Sequence, residues 1–269
     1  MKLHTSCISD VGQKRSLNED CGLVDDNLGL LLVADGMGGH GSGDVASQLT
    51  AAAVKDFIKQ FLEGKIDNSF FNSSEPTPLE HDADSTIQAL PNPVFEVVSA
   101  AVKKANSVVY EQNKRRGFAD GSGMGTTLAG IWKLGALNEI VLFQVGDSRI
   151  YLYRDKKLLQ LTRDHTAYQE WERNGRTGPA PPQNLILRAI GLFKDVSPDV
   201  RTQSVHPGDV LIVCSDGLTS MLDDKEIEEI VTSKSSQLGV MGAVLVKAAN
   251  EKGGDDNITV VAGRFAEQP

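Results

Sequence analysis

The amino-acid sequence predicts an α+β fold in which β-sheets pack in layers and helices cover them on the outside. Short runs rich in β-forming residues occur near both ends of the chain, and stretches with apolar residues at helical spacing lie between them. The 269 residues are 40% hydrophobic and 23% charged, which is ordinary for a soluble globular protein. This length suits a single domain over residues 1–269 that carries an insertion.

The N-terminal part begins with three predicted strands, at residues 3–8, 21–24 and 30–34. The segment 25–29, Asp-Asp-Asn-Leu-Gly, joins the second strand to the third, and its residue types tolerate the left-handed conformations of hairpin turns. The third strand is apolar throughout, as expected for a strand that is buried on both faces. It ends abruptly at Asp35, ahead of a glycine-rich run.

Two amphipathic helices follow, at about residues 44–61 and 94–116, because apolar residues recur there with the period of one helix face. Residues 63–93 between them are rich in Asn, Ser, Pro, Asp and Glu and contain few apolar residues. This composition predicts a polar insertion, either a surface excursion or a mobile loop.

The C-terminal half alternates between short strands and helices. The predicted strands are 126–132, 140–145, 150–153, 158–161, 210–214 and 258–264, and the predicted helices are 167–173, 224–231 and 238–250. We find no internal repeat and no heptad pattern, so a layered domain remains the prediction.

Charge and cysteine usage limit the classes of partner. The formal net charge is −9 and no basic stripe stands out, so neither nucleic acid nor a membrane surface is a predicted partner. The start of the chain lacks the apolar core of a signal peptide, and no apolar run is long enough to span a bilayer, so we expect a cytoplasmic location. Cys7, Cys21 and Cys214 form no C-x-x-C pair, and we expect them to be small buried hydrophobes.

Four aspartates lie at the ends of predicted strands, and each is followed by Gly, Ser or Asn. They are Asp35, Asp147, Asp216 and Asp256. A single Asp-Gly after a strand is usually only a turn. Four such sites on one chain favour convergence, and converging carboxylates need a cation to offset their repulsion. Mg²⁺ and Mn²⁺ prefer oxygen ligands, and a pair of these ions is well suited to hydrolysing phosphate esters.

Other kinds of site are not indicated. There is no Cys/His cluster at zinc spacing, no phosphate-binding glycine loop and no G-x-S-x-G nucleophile motif. Of the histidines only His40 lies in a strong motif, and His165 is interpreted as an ordinary surface or core residue. Arg15 lies in a loop between two strand segments, where its guanidinium could match a phosphate, although most loop arginines are simply solvated.

Taken together, the motifs resemble those of the metal-dependent protein phosphatases, the PPM or type 2C serine/threonine phosphatases, in their bacterial single-domain form. The motifs are SDVG at 9–12, NED at 18–20, VADGMGGH at 33–40, GTT at 125–127, VGDSR at 145–149, LTRDH at 161–165, CSDGL at 214–218 and GDDNITV at 254–260. Their order matches the family almost from end to end, and only the insertion at 63–93 lies outside the resemblance.

The resemblance implies a four-layer α-β-β-α sandwich, with two central antiparallel sheets flanked by helices. It also implies two bound Mn²⁺ or Mg²⁺ ions, with Asp35 bridging them and the carbonyl of Gly36 binding one of them. Asp216 and Asp256 would complete the shell of the first ion.

Further roles follow from the same resemblance. Glu19 and Asp20 would hold water ligands of the second ion, and Asp147, with Asp216, would bind a third ion. Arg15 would clamp the substrate phosphate and Asn257 would support that end of the site.

The implied reaction is hydrolysis of phosphoserine and phosphothreonine in proteins by a water that bridges the two ions, without a phosphoenzyme. Where animal members carry a histidine, this chain has Met37, so His40 or a metal-bound water is the candidate proton donor. The segment 166–184 corresponds to the family's flap beside the site. The implied partners are phosphorylated proteins whose phosphorylation a serine/threonine kinase supplies, and a monomer is expected.

Two alternatives stay open at this point. One is a metal-dependent phosphatase of small phosphate esters, and the other is a catalytically silent module that binds phosphorylated partners. The presence of every expected metal-position carboxylate favours an active enzyme.

Overall fold

The computed structural model describes residues 1–38, 42–66, 92–135 and 137–267. Its strands are β1 (Lys2–Asp10), β2 (Asp20–Asp25), β3 (Leu30–Met37), β4 (Gly125–Thr126), β5 (Leu128–Lys133), β6 (Glu139–Val145), β7 (Arg149–Arg154), β8 (Lys157–Gln160), β9 (Asp199–Ser204), β10 (Val210–Cys214) and β11 (Ile258–Ala266). Its helices are α1 (Gly43–Leu62), α2 (Asn92–Arg115), α3 (Ala167–Arg173), α4 (Asp216–Thr219), α5 (Asp224–Lys234) and α6 (Leu238–Glu251). Most of the predicted insertion and His40 lie outside the described residues.

The strands form two antiparallel sheets. One has the order β1-β11-β10-β7-β8, and the other has the order β2-β3-β5-β6-β9, with β4 paired to β3. The first and last strands of the chain are neighbours, with Asp10 opposite Ile258. This pairing brings the loop after β1 next to the loop before β11, where part of the predicted site lies.

In β3, alternate side chains pack on opposite faces of the sheet, which explains why the whole segment is apolar. Leu30 and Leu32 pack into the core that also contains residues of α1 and α2, while Leu31 and Val33 pack into the core between the two sheets. Successive side chains of a strand point to opposite faces, so a strand covered on both sides needs apolar residues at every position. The prediction of a fully buried strand is confirmed.

The strands of the other sheet are also covered on both faces. In β10, Ile212 packs with residues of α5 and α6, while Leu211 and Val213 face the core between the sheets. Helices therefore cover the outer face of each sheet, and the predicted α-β-β-α layering is confirmed. No helix in the described part of the chain is both long enough and apolar enough to cross a bilayer.

The structure differs from the predicted elements in three places. Strand β9 was not predicted because its sequence, DVRTQS, is mostly polar; it lies at an edge of its sheet and pairs only with β6. The short helix α4 was also missed. The predicted strand at 126–132 is divided into β4 and β5 at Thr127, which bonds to the backbone of Asp35 instead.

The prediction that all the cysteines are buried is wrong for two of them. Cys214 is buried, Cys21 is half-buried and Cys7 is exposed. Cys7 lies on β1, which among the described strands is at one edge of its sheet, so it is less covered than a residue of a central strand.

Candidate metal and phosphate site

The predicted aspartates meet at one end of the sandwich. Asp35 lies opposite Asp20 in the β2–β3 register, and its carboxyl interacts with that of Asp216, which begins α4 one residue after β10. Asp147 interacts electrostatically with both Asp35 and Asp216, and Asp256 interacts with Asp20 and Asp216. The sequence prediction that these carboxylates are neighbours agrees with this placement.

The backbone of Asp35 is held at the break between β4 and β5. Its N–H donates to the Thr127 hydroxyl at 3.1 Å, and its carbonyl accepts from the Thr127 N–H at 2.9 Å and from the Thr126 hydroxyl at 2.8 Å. The Thr127 hydroxyl also bonds to that of Ser148 at 2.6 Å. These threonines fix the direction in which β3 presents the Asp35 carboxyl.

Gly36 is required by a close approach of three segments. A Cβ at this position would lie 2.2 Å from the carbonyl oxygen of Gly43 and 2.5 Å from that of Glu19. The Glu19 carboxylate accepts the N–H of Gly43 at 2.9 Å, at the start of α1, where the helix dipole favours a negative charge. Glu19 thereby ties α1 to the start of β2.

Asp20 is held by a serine of the other sheet. The Ser215 hydroxyl donates to Asp20 Oδ2 at 2.7 Å and accepts the N–H of Thr259 at 2.9 Å. Asp20 Oδ1 is buried and has no hydrogen-bond partner among the described residues. Ser215 was not singled out from the sequence, and its only signal was its place directly before Asp216.

The electrostatics of the cluster disfavour negative charge. Burial raises the pKa of Asp20 to about 7, and nearby Asp216 and Asp256 add to the rise. Burial, and then the charge of Asp216, raise the pKa of Asp147 to about 7. Burial also raises the pKa of Asp216, and burial with the charges of Asp20 and Asp216 raises that of Asp35 well above its ordinary value.

Three carboxyl oxygens in this cluster are buried without a partner among the described residues: Oδ1 of Asp20, Asp147 and Asp216. Buried polar atoms are normally bonded, so unsatisfied oxygens beside repelling carboxylates fit a site for hard cations. Within the described ranges, no group of three or more Asp, Glu, His or Cys side chains is arranged so that it could hold a metal ion without rearrangement.

Arg15 lies at the edge of the cluster and half of its side chain is exposed. Its guanidinium donates to Asp256 Oδ2 at 2.8 Å. The loop that carries it is docked by Gly12, where a Cβ would lie 2.2 Å from the Asp256 carbonyl oxygen, and by Gln13, whose N–H donates to the Gly254 carbonyl at 2.7 Å. The cation of Arg15 is thereby placed beside the carboxylates and within reach of solvent.

The Asn257 side chain bonds to backbone groups of the loop between β1 and β2. Its Oδ1 accepts the Glu19 N–H at 2.7 Å, and its Nδ2 donates to the carbonyls of Val11 and Leu17, each at 2.9 Å. The side chain thus holds both ends of the single loop, residues 11–19, that carries Arg15 and Glu19, and its contacts are those of a scaffold.

His165 has a more specific place than its sequence interpretation gave it. It is buried, and its Nδ1 accepts the N–H of Gly146 at 3.1 Å, directly before Asp147. Its Nε2 lies 3.3 Å from the Asp199 carboxylate on β9. The LTRDH motif was the signal for this role, but the partner strand was not predicted.

A layered antiparallel sandwich with coupled aspartates and an arginine at one end defines the class of metal-dependent phosphatases with the type 2C fold. A family model described as "Protein phosphatase 2C" matches residues 13–248. The chain belongs to the protein phosphatase 2C family.

Curated relatives and solved structures agree with this membership. The chain is 34% identical to the serine/threonine phosphatase stp of Listeria monocytogenes serotype 4b, over 96% of this chain and 94% of the relative. It is 32% identical to protein phosphatase PhpP of Streptococcus pneumoniae, over 99% of each.

Among solved structures, the serine/threonine phosphatase PstP/Ppp of Mycobacterium tuberculosis aligns with a TM-score of 0.78 at 31% identity, covering 99% of this chain and 100% of that one. The catalytic domain of PstP in complex with two manganese ions aligns with a TM-score of 0.76 at 32% identity, covering 98% and 99%.

Proposed function

We propose that the carboxylates at this end of the sandwich hold Mn²⁺ or Mg²⁺ ions and that Arg15 binds the phosphate of a phosphorylated serine or threonine. The chain is a metal-dependent protein serine/threonine phosphatase, as its family and named relatives are. The observation that carries the site assignment is the group of buried oxygens on Asp20, Asp147 and Asp216 that have no hydrogen-bond partner among the described residues, beside the half-exposed Arg15.

Four residues are proposed as direct ligands of the first two ions. Asp35 interacts with both Asp20 and Asp216, which is why it is proposed as the carboxylate that would be shared by two ions, and the carbonyl of Gly36 is next to it in the chain. Asp216 and Asp256 would complete the shell of the first ion. Asp256 now bonds to Arg15, so it can orient the guanidinium while it serves as a ligand.

The remaining acidic residues are proposed in more distant roles. Asp20 Oδ1, which has no hydrogen-bond partner among the described residues, is proposed to hold a water ligand of the second ion. The Glu19 carboxylate accepts the Gly43 N–H through Oε1, and its remaining lone pairs could hold such a water. Asp147, whose Oδ1 likewise has no partner in the described part of the chain and which interacts with Asp216, is the candidate for a third ion.

When bound, the ions supply positive charge that makes a water acidic enough to attack phosphorus at neutral pH and that stabilises the phosphoryl oxygens. Arg15 contributes a planar set of donors that matches two oxygens of the phosphate. Ser215 and Thr127 hold Asp20 and Asp35 in place, so the carboxylates need little reorganisation. His40, the candidate donor to the leaving oxygen, lies outside the described residues and stays a prediction.

The flap at 166–184 is proposed to shape access for protein substrates. Its helix α3 is capped by the Thr166 hydroxyl, which accepts the Gln169 N–H, and contains no buried residue. The Trp171 indole donates to the Gly178 carbonyl at 3.1 Å, so the segment folds back on itself. Residues 173–180 of this segment are exposed, so this part of it can change shape without disturbing the sandwich.

The test is hydrolysis of a phosphothreonine peptide, sugar phosphates and a chromogenic aryl phosphate, each with Mn²⁺ and with a chelator. We expect Mn²⁺-dependent turnover with preference for the peptide. Preference for sugar phosphates would assign the chain to small esters, and peptide binding without turnover would make it a silent module. Calorimetric Mn²⁺ titration of the wild type and of Asp216→Asn tests the ligand assignment independently of activity. An opposing kinase, a cytoplasmic location and a monomeric state remain predictions.

A further inference from the structure

Arg116 follows the last residue of α2, is exposed, and carries a cation that contacts only neutral groups among the described residues. Its Nη1 lies 3.3 Å from the Ser42 hydroxyl and 3.9 Å from Met124 Sδ. By contrast, Arg15 and Arg149 each contact a carboxylate oxygen, at 2.8 and 2.7 Å. The positive charge of Arg116 is therefore available to an anionic ligand.

The backbone that carries Arg116 is fixed to the end of β3 by buried hydrogen bonds. The Arg116 N–H donates to the carbonyl of Asn113 at 3.1 Å. The buried Asn113 side chain accepts the Met124 N–H at 3.0 Å and donates to the Met124 carbonyl at 2.7 Å. Gly125, the next residue, lies opposite Met37, the last residue of β3. Because this backbone is held in place, only the Arg116 side chain has to be ordered when a ligand binds.

A second set of contacts leads from Arg116 to the proposed site through Ser42. Ser42 precedes Gly43, whose carbonyl oxygen would lie 2.2 Å from a Cβ at Gly36. The carbonyl of Gly36 is itself a proposed metal ligand. Since consecutive Cα atoms are about 3.8 Å apart, these contacts put the guanidinium at most about 16 Å from the Cα of Gly36. An extended peptide advances about 3.3 Å per residue, so about five residues cover this distance.

We propose that Arg116 binds an acidic side chain of the phosphoprotein substrate, an Asp or Glu within about five residues of the phosphoserine or phosphothreonine. This inference rests on the proposed function. Charge complementarity argues for this occupant, because the chain has a net charge of −9 and on the whole repels an acidic peptide, whereas Arg116 attracts one. The planar guanidinium also matches a carboxylate, to which it can donate two parallel hydrogen bonds.

The experiment compares two phosphothreonine peptides that differ only at the flanking positions, with Glu in one and the uncharged Gln in the other. The measured quantity is the ratio of kcat/KM for the Glu peptide to kcat/KM for the Gln peptide. Arg116→Gln should lower this ratio about threefold, which is the scale of one solvent-exposed ion pair. Arg116→Lys should retain most of the wild-type ratio, and Arg116→Glu should lower it further than Arg116→Gln does.

The matched control is Arg115→Gln, which removes the neighbouring exposed cation and should leave the ratio unchanged. High salt should bring the wild-type ratio towards that of Arg116→Gln, because salt screens an exposed ion pair. An equal effect of Arg116→Gln on both peptides, or an equally lowered ratio in Arg115→Gln, overturns the proposal. If the wild type hydrolyses neither peptide, the proposed function fails, and calorimetric dissociation constants of the same two peptides still test Arg116 through their ratio.

Discussion

Replacing Asp20 by Asn should stabilise the metal-free protein at alkaline pH and weaken its response to Mn²⁺. The structure raises the pKa of Asp20 from 3.8 to about 7, chiefly because the carboxyl is buried. A carboxyl with a raised pKa contributes stability that is present below 3.8 and is lost as the pH rises through about 7. Above that pH the folded state must keep a carboxylate in a site that disfavours it.

The size of the expected stabilisation follows from the rise in the pKa of Asp20. A pKa raised from 3.8 to about 7 corresponds to at most ~4 kcal/mol. The residue as a whole is only half-buried, so a gain of about 2 kcal/mol at pH 8 is the expected value. The Asn side chain can still accept the Ser215 hydroxyl through its carbonyl oxygen, so the packing should survive.

The assay is urea unfolding of chelated wild type and variant from pH 4.5 to pH 8.5. At pH 8 the free energy of unfolding of the variant should exceed that of the wild type, and this difference should shrink as the pH falls towards 4. With saturating Mn²⁺ the order should reverse, since the wild type gains more from the ion. A variant that is equally destabilised at every pH would refute the electrostatic reasoning and assign Asp20 a packing role.

Three further outcomes are expected. Asp216→Asn should nearly abolish turnover with an unchanged circular dichroism spectrum, and unchanged turnover at saturating Mn²⁺ would remove Asp216 from the ligand set. Gly36→Ala should destabilise the chain by about 1–3 kcal/mol in urea unfolding, because a Cβ would lie 2.2 Å from the Gly43 carbonyl oxygen; the control Gly239→Ala, whose Cβ would have its nearest neighbour at 3.8 Å, should be tolerated. Replacing the flap at 166–184 should change kcat/KM for a phosphopeptide more than for an aryl phosphate, and equal effects on both would contradict its role in access.

Much of the fold could be predicted because its buried strands leave a strong pattern. The uninterrupted apolar runs of β3 and β10 predict strands with two covered faces, which is how the sandwich uses them. Strand β9 left no such pattern, since it lies at an edge and needs few apolar residues. The break at Thr127 could not be predicted either, because it depends on which backbone groups Asp35 presents to it.

The acidic residues of the candidate site could be predicted from the sequence, but the residues that hold them in place could not. Asp35 and Asp216 stand in motifs whose order the sequence displays. Ser215 and His165 act through pairings between elements far apart in the chain, and a single sequence does not display such pairings. The role proposed for His40 remains a prediction, because that residue lies outside the described ranges.

The proposed ligands come from both sheets, and this has a consequence for how the molecule unfolds. Asp35 lies near the C-terminal end of β3 in one sheet, while Asp216 follows β10 and Asp256 precedes β11 of the other. An ion held by all of them would act as a reversible cross-link between the two sheets, in addition to the apolar packing and the hydrogen bonds, such as Ser215–Asp20, that already join them. Amide hydrogen exchange at this end of β3 and β10 should therefore slow when Mn²⁺ is added, while exchange at the opposite end of the sandwich changes little.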